Sequence, residues 1–236
     1  MADEFTGKAT VYDKARPGYA PAALDYILDI VDHSEAVIAD IGAGTGKFCA
    51  MLCARGCEVV AVEPNADMRS KLPVLPNLRV MDSTAEATGL PDHSVDAVTC
   101  AEAFHWFDGE AFKAECLRIL KPGGQIFVVY NNPSPEFQTH AELDWRPHKY
   151  DPERWKRNNE TVLAFFDGAM RRETFDNPVY FDREHHEAYM LSHSDSPRSG
   201  DETYERFLAS IAEIYERCNV DGKLLLSLET VVYTSA

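Results

Sequence analysis

The stretch Asp40-Ile41-Gly42-Ala43-Gly44-Thr45-Gly46 decides how this chain is to be read. It completes an apolar run, Val37-Ile38-Ala39-Asp40-Ile41, that reads as a buried strand, and it leads into residues 47–55, which read as a helix. Where a strand turns into a helix, a ligand can come close to the backbone only if no Cβ blocks it, which is what glycine provides. The unpaired N–H groups at the helix start then face that ligand. Several ligand classes use such a turn. A phosphate-binding loop of the type Gly-x4-Gly-Lys-Ser/Thr needs glycine at position 41 and a hydroxyl at position 48, where this chain has Ile41 and Phe48. A dinucleotide turn, Gly-x-Gly-x-x-Gly, needs its third glycine where Lys47 stands. Asp40 ends the strand with an acid suited to charge-assisted pairing with a cationic ligand group.

Outward from the turn the pattern repeats. Further strands are expected at 58–62, 78–81, 95–100 and 125–130, with helices at 66–72 and 109–120 and a turn at Lys121-Pro122-Gly123-Gly124. Strands that read as continuous apolar runs between helices imply a parallel sheet covered on both faces. Residues 132–180 lose this rhythm and are read as a helical cap over the carboxyl ends of the strands, where open α/β sheets bind ligands. The aromatic residues Trp145, Tyr150, Trp155, Phe165, Phe166 and Phe175 in that stretch suit either a planar ligand or packing within the cap. The tail offers a helix at 202–217 and a last strand at 224–233. The Asp221-Gly222 turn before that strand favours an antiparallel pairing, with 183–191 as candidate partner. The expectation is one α/β domain over residues 1–236, with 132–180 as an insertion within it.

Polar residues gather where the strands end. Glu63 closes the second strand, a place from which a carboxylate accepts both hydroxyls of a ribose. Beyond the third lies Asp82-Ser83-Thr84-Ala85-Glu86, suited to the edge of an adenine. The fourth runs into Ala101-Glu102-Ala103-Phe104-His105-Trp106-Phe107-Asp108. Taken singly, Glu63 reads as a surface acid and Asp82 as a turn or helix cap. At successive strand ends, in order, they describe one nucleoside-binding crevice.

Composition narrows the partners. With 39 acids against 23 bases the formal net charge is −16, a field that repels a phosphate backbone, so no nucleic-acid substrate is expected. The densest basic run, Arg154-Trp155-Lys156-Arg157, reads as a solvated helix face. No apolar stretch reaches membrane-spanning length and the first residues do not form a signal peptide, so a cytoplasmic protein is expected. Six cysteines read as reduced thiols. Cys49, Cys53 and Cys57 fall at i, i+4 and i+8 but lack a fourth ligand, and His185, His186 and His193 have no further support, so no metal is expected.

The acid-x-Gly-x-Gly-x-Gly turn fits throughout a further pattern. With Ala85-Glu86, Leu90-Pro91 and Asp92-x-Ser94-Val95-Asp96, it resembles the class I S-adenosylmethionine (SAM) dependent methyltransferases. Within them it resembles the small-molecule branch of trans-aconitate and ubiquinone/menaquinone-biosynthesis methyltransferase-like enzymes, the methyltransferase type 11 domain. Tyr12-Asp13-x-x-Arg16-Pro17-x-Tyr19 and Ala103-Phe104-His105-Trp106-Phe107-Asp108 resemble one subgroup more closely. The resemblance is strong over residues 5–131 and looser over the final helix and strand. It implies a Rossmann-like seven-stranded mixed sheet of order 3-2-1-4-5-7-6 with strand 7 antiparallel. SAM is the implied cofactor, S-adenosylhomocysteine (SAH) the product, and no metal is implied.

By that resemblance Asp40, Gly42 and Gly44 would hold the methionine end, Glu63 the ribose, and Thr84, Ala85 and Glu86 the adenine, with Gly46 and Pro64 also binding the cofactor. Ala101 would offer its carbonyl to the methionine amine, and Tyr12, Arg16 and Tyr19 would fold over the cofactor. Methyl transfer is an in-line displacement, so alignment supplies much of the acceleration. A base is needed only for a protonated acceptor. His105 is the candidate by its ordinary pKa, Glu102 the second, and Trp106 would stack on the acceptor or face the sulfonium. The plainer role of His105 and Trp106 is pocket wall. The expected acceptor is a small molecule methylated at oxygen, as carboxylate or hydroxyl, by a monomer or homodimer. A nicotinamide-dependent oxidoreductase, disfavoured by Lys47 and the lack of a Tyr-x-x-x-Lys pair, and a non-catalytic SAM-binding protein remain the alternatives.

Overall fold

The computed structural model describes residues 15–31, 35–133, 154–193 and 196–236, with backbone alone at 154–158. Seven strands form one sheet: β1 (Val37–Ile41), β2 (Glu58–Val62), β3 (Leu78–Met81), β4 (Val95–Ala101), β5 (Leu120–Pro133), β6 (Met170–Phe181) and β7 (Leu224–Ser235). Their order is β3-β2-β1-β4-β5-β7-β6. Neighbours from β3 to β5 are parallel, while β7 runs antiparallel to both β5 and β6. This is the seven-stranded sheet and strand order that the resemblance implies.

The helices are α1 (Pro21–Val31), α2 (Lys47–Cys53), α3 (Ala66–Arg69), α4 (Gly109–Ile119), α5 (Arg154–Phe165), α6 (Arg183–Leu191) and α7 (Tyr204–Cys218). Successive strand residues alternate between two cores, because side chains in a strand point to opposite faces. Ile38, Val59 and Ala61 pack with Leu24, Ile27, Phe48 and Leu52 on one face. Ala39, Ile41, Val60 and Val62 pack with Phe104, Phe112, Ile119 and Phe165 on the other. Helix α1 has no counterpart among the elements expected from sequence. Pro21 at its first position is preset for a helix start, and Ala23, Leu24 and Ile27 form its buried stripe.

Two expectations change downstream of β5, and the packing role open to the aromatics there is borne out for Phe165, Phe166 and Phe175. The stretch drawn as a cap, 132–180, ends in sheet: Met170–Phe181 is β6, the partner of β7. As an edge strand β6 exposes much of its length, so it reads as a polar mixture rather than an apolar run. Residues 183–191 are not that partner but helix α6, started by Asp182, whose side chain accepts from His185 N at 2.9 Å. Phe165 and Phe166 are buried in the core with Phe104, and Phe175 packs on Tyr26, so these aromatics hold the fold together. Tyr12, Trp145, Tyr150 and the side chains of the basic run 154–157 lie outside the described residues.

No helix among the described residues is long and apolar enough to cross a membrane. All six cysteines are free thiols. Among the described residues no group of three or more His, Cys, Asp or Glu is arranged to hold a metal ion. His186 is not a surface histidine. It is buried against Tyr215, and burial pushes its pKa down to about 4.

Candidate functional site

The turn from β1 into α2 is tied to the next strand by two bonds: Gly42 N and Ala43 N both donate to Val62 O, at 2.8 and 3.1 Å. Gly42 and Gly44 have φ of +71° and +58°, in the region that disfavours side chains. Their surroundings differ. A Cβ on Gly42 would lie 2.6 Å from Ala103 Cβ, so this glycine lets the turn pack against the segment after β4. A Cβ on Gly44 would meet nothing within 4 Å, because it points into open space.

Two carboxylates sit beneath and beside the turn. Asp40, 1% exposed, accepts from Thr99 Oγ1 at 2.8 Å and from Cys49 Sγ at 3.0 Å. Burial outweighs these bonds and raises its pKa to about 6, with the charge of Glu63 acting in the same direction. Glu63, 7% exposed, accepts from Gly44 N and Asn65 N, each at 2.8 Å, one on each carboxylate oxygen. Burial raises its pKa too, opposed by those two N–H donors. A carboxylate has about four acceptor sites, so Glu63 keeps capacity for two hydroxyls.

A cavity of about 260 Å³ opens over the turn. Of the residues singled out from sequence, Arg16, Tyr19, Asp40, Gly42, Gly44, Glu63, Pro64, Thr84, Ala85, Glu86, Ala101, Glu102 and Trp106 line it. Gly46 does not. Its Cβ would meet Leu72 Cδ2 at 2.6 Å and Pro73 Cδ at 2.7 Å, so the chain needs glycine there for packing rather than for a ligand. His105 does not line the cavity either. Its ring stacks on Tyr130 with centroids 6.0 Å apart, and its Nδ1 lies 3.5 Å from Tyr130 Oη. Asp82 turns outward to pair with Arg69 at 2.7 Å.

Other lining residues carried no sequence signal of this role. Asn65 caps α3, accepting from Met68 N at 3.0 Å, and reads locally as a helix start. Asn131, Tyr189 and Leu228 arrive from β5, α6 and β7. Glu102 stands at φ 56° just after β4, and its Oε1 accepts from Asn131 N at 2.5 Å. Thr45 Oγ1 lines the cavity, buried, with no hydrogen-bond partner among the described residues.

The walls carry Asp40, Glu63, Glu86 and Glu102 against Arg16 and Lys47. Such a lining favours a ligand with a cationic centre and many hydroxyl donors, and it repels one that carries phosphates.

The fold is the one seen in solved methyltransferase structures. Residues 39–128 match the methyltransferase domain family. An uncharacterized methyltransferase of Mycobacterium tuberculosis is 39% identical over 132 residues, which are 56% of this chain and 53% of that protein. A ubiquinone biosynthesis O-methyltransferase of Xanthomonas oryzae is 33% identical over 127 residues, 49% of this chain and 51% of that protein. The matched stretch thus spans about half the length of these relatives. Among solved structures, a candidate type II methyltransferase from Anaeromyxobacter dehalogenans superposes with a TM-score of 0.64 at 19% identity, covering 94% of this chain and 97% of that one. At this identity the likeness concerns the fold.

Proposed function

We propose that the protein is a SAM-dependent methyltransferase that transfers a methyl group to oxygen, as carboxylate or hydroxyl, of a small-molecule acceptor. The observation that carries this reading is the pairing of Gly44 and Glu63. The glycine faces open space, and the buried carboxylate bonded to its N–H has acceptor sites left for a vicinal diol. The residues present fit SAM: Glu63 for the ribose hydroxyls, Thr84, Ala85 and Glu86 for the adenine, and Asp40, Thr45 and Ala101 for the methionine end. Arg16 and Tyr19 close the other side. Bound there, SAM would supply an electrophilic methyl carbon on a good leaving group.

The chain's own part is alignment, exclusion of water and, for a hydroxyl acceptor, removal of a proton. Glu102 lines the cavity and is better placed for that proton than His105, which faces Tyr130. Trp106 offers a flat wall to the acceptor or the sulfonium. Transfer to oxygen is supported by the relative whose name describes an O-methyltransferase of ubiquinone biosynthesis. Free thiols at all six cysteines accord with a cytoplasmic protein.

Calorimetry with SAM, SAH and NADH tests the cofactor. Micromolar SAM and SAH binding without NADH binding is the expected result, and NADH binding tighter than SAM would overturn the reading. Transfer of labelled methyl to a panel of small acids, phenols and amines tests the reaction, and product on nitrogen alone would refute the oxygen assignment.

A further inference from the structure

The backbone on both sides of Tyr19 is held by side chains from three later strands. The carbonyl before it, Gly18 O, accepts from Asn131 Nδ2 and from Asn177 Nδ2, each at 2.9 Å. The amide after it, Ala20 N, donates to Thr230 Oγ1 at 2.8 Å. The three side chains also bond one another: Thr230 Oγ1 donates to Asn131 Oδ1 at 2.6 Å, and Asn177 Nδ2 lies 3.2 Å from the same oxygen. They stand on β5, β6 and β7, where Asn131 pairs in register with Thr230. The ring of Tyr19 meets Phe48 edge-on at 4.9 Å. Just upstream, Ala15 O accepts from His185 Nε2 at 3.2 Å, and the Arg16 guanidinium lies over the Tyr189 ring at 5.5 Å.

We infer that Asn131, Asn177 and Thr230 are positioning residues for cofactor binding: they fix residues 18–20 on the sheet so that Tyr19 walls the cavity. The inference rests on the SAM reading of that cavity. Two amides on one carbonyl use both of its lone pairs, more than a surface loop requires. The donors come from strands that already satisfy each other through the ladder, so the side chains are not needed for pairing. Residues ordered in this way before the cofactor arrives spare it the entropy of closing a loop.

Asn177 is the test position, because it does not line the cavity. Asn177→Ala and Asn177→Asp are compared with the wild type by SAM and SAH calorimetry. Aspartate keeps the shape but loses the donor, so both variants should bind about tenfold more weakly. In a Tyr19→Ala background the same Asn177→Ala change should cost less than about twofold, because the residue it positions is gone. Affinity like that of the wild type in both single variants overturns the inference. So does a full tenfold loss that persists without Tyr19, which would mean that Asn177 serves the sheet alone. Failure of the wild type to bind SAM or SAH is a separate outcome, and it would remove the cofactor reading itself.

Discussion

Cys49 Sγ donates to Asp40 Oδ2 across 3.0 Å, so a thiol on α2 shares with Thr99 the task of holding a fully buried carboxylate under the glycine turn. Burial and the adjacent acid keep that thiol protonated, well above its ordinary pKa, and it therefore remains a donor. The arrangement makes Asp40 a carboxylate that is held in place yet reluctant to ionise, at a site suited to a cation.

The first prediction is pH dependence of cofactor binding. Asp40 titrates at about 6, raised from 3.8. A cationic group nearby favours the ionised form, so SAM binding should release a proton below pH 6 and tighten as pH rises from 5 to 7.5, by up to about tenfold. Calorimetry at both pH values, in buffers of different ionisation enthalpy, reads both the affinity and the proton. A flat profile would show that Asp40 does not sense the ligand.

Stability of the free protein should respond to the same group in the opposite sense. The folded-state pKa lies above the ordinary one, so the contribution is full below about pH 4 and is lost as pH rises through about 6. Thr99→Val removes one of the two donors to Asp40 without changing side-chain shape. It should destabilise the protein at pH 7 by roughly 1–3 kcal/mol, because a buried carboxylate oxygen loses its partner. Urea unfolding at pH 5 and pH 7.5 checks it. A smaller loss at pH 5 is expected, since the protonated acid is less costly to bury.

Gly42 and Gly44 should fail in different ways. Gly42→Ala drives a Cβ to 2.6 Å from Ala103 Cβ and should lower the melting temperature markedly. Gly44→Val meets open space, so its cost to the fold is mainly backbone strain, about 1 kcal/mol, whereas SAM binding should vanish. Melting curves and calorimetry together separate the two. A Gly44→Val variant that binds SAM like the wild type would remove the turn from the cofactor site.

Glu102 and His105 can be told apart by the acceptor used. Glu102→Gln retains an oxygen that can accept from Asn131 N yet removes a base. Turnover of a hydroxyl acceptor should fall by about 10²-fold or more, while a carboxylate acceptor is methylated at nearly the wild-type rate. His105→Ala should lower turnover less than Glu102→Gln and leave SAM affinity nearly unchanged, in keeping with a ring that faces Tyr130. A larger turnover loss in His105→Ala would restore His105 as the base.

Much of the cavity's lining was legible along the chain. Asp40, Gly42, Gly44, Glu63, Thr84, Ala85, Glu86 and Ala101 all line the cavity, because each lies at or shortly after the end of a strand that can be read locally. Gly46 and His105 belong to the same motifs and yet do not line the cavity. A motif gives spacing along the backbone, whereas what a residue faces depends on what packs beside it. For Gly46 that is Leu72 and Pro73, and for His105 it is Tyr130.

The parallel half of the sheet, the antiparallel last strand and the acid and glycine positions at the strand ends can be read along the chain. These follow from short-range periodicity and from the steric freedom of glycine. That β6 begins at Met170, that 183–191 is a helix, and that Asn131, Asn177 and Thr230 converge on residues 18–20 depends on packing between distant segments. Edge strands show their polar face to water and lose the apolar signature. Hydrogen bonds between residues more than 150 positions apart leave no local pattern at all.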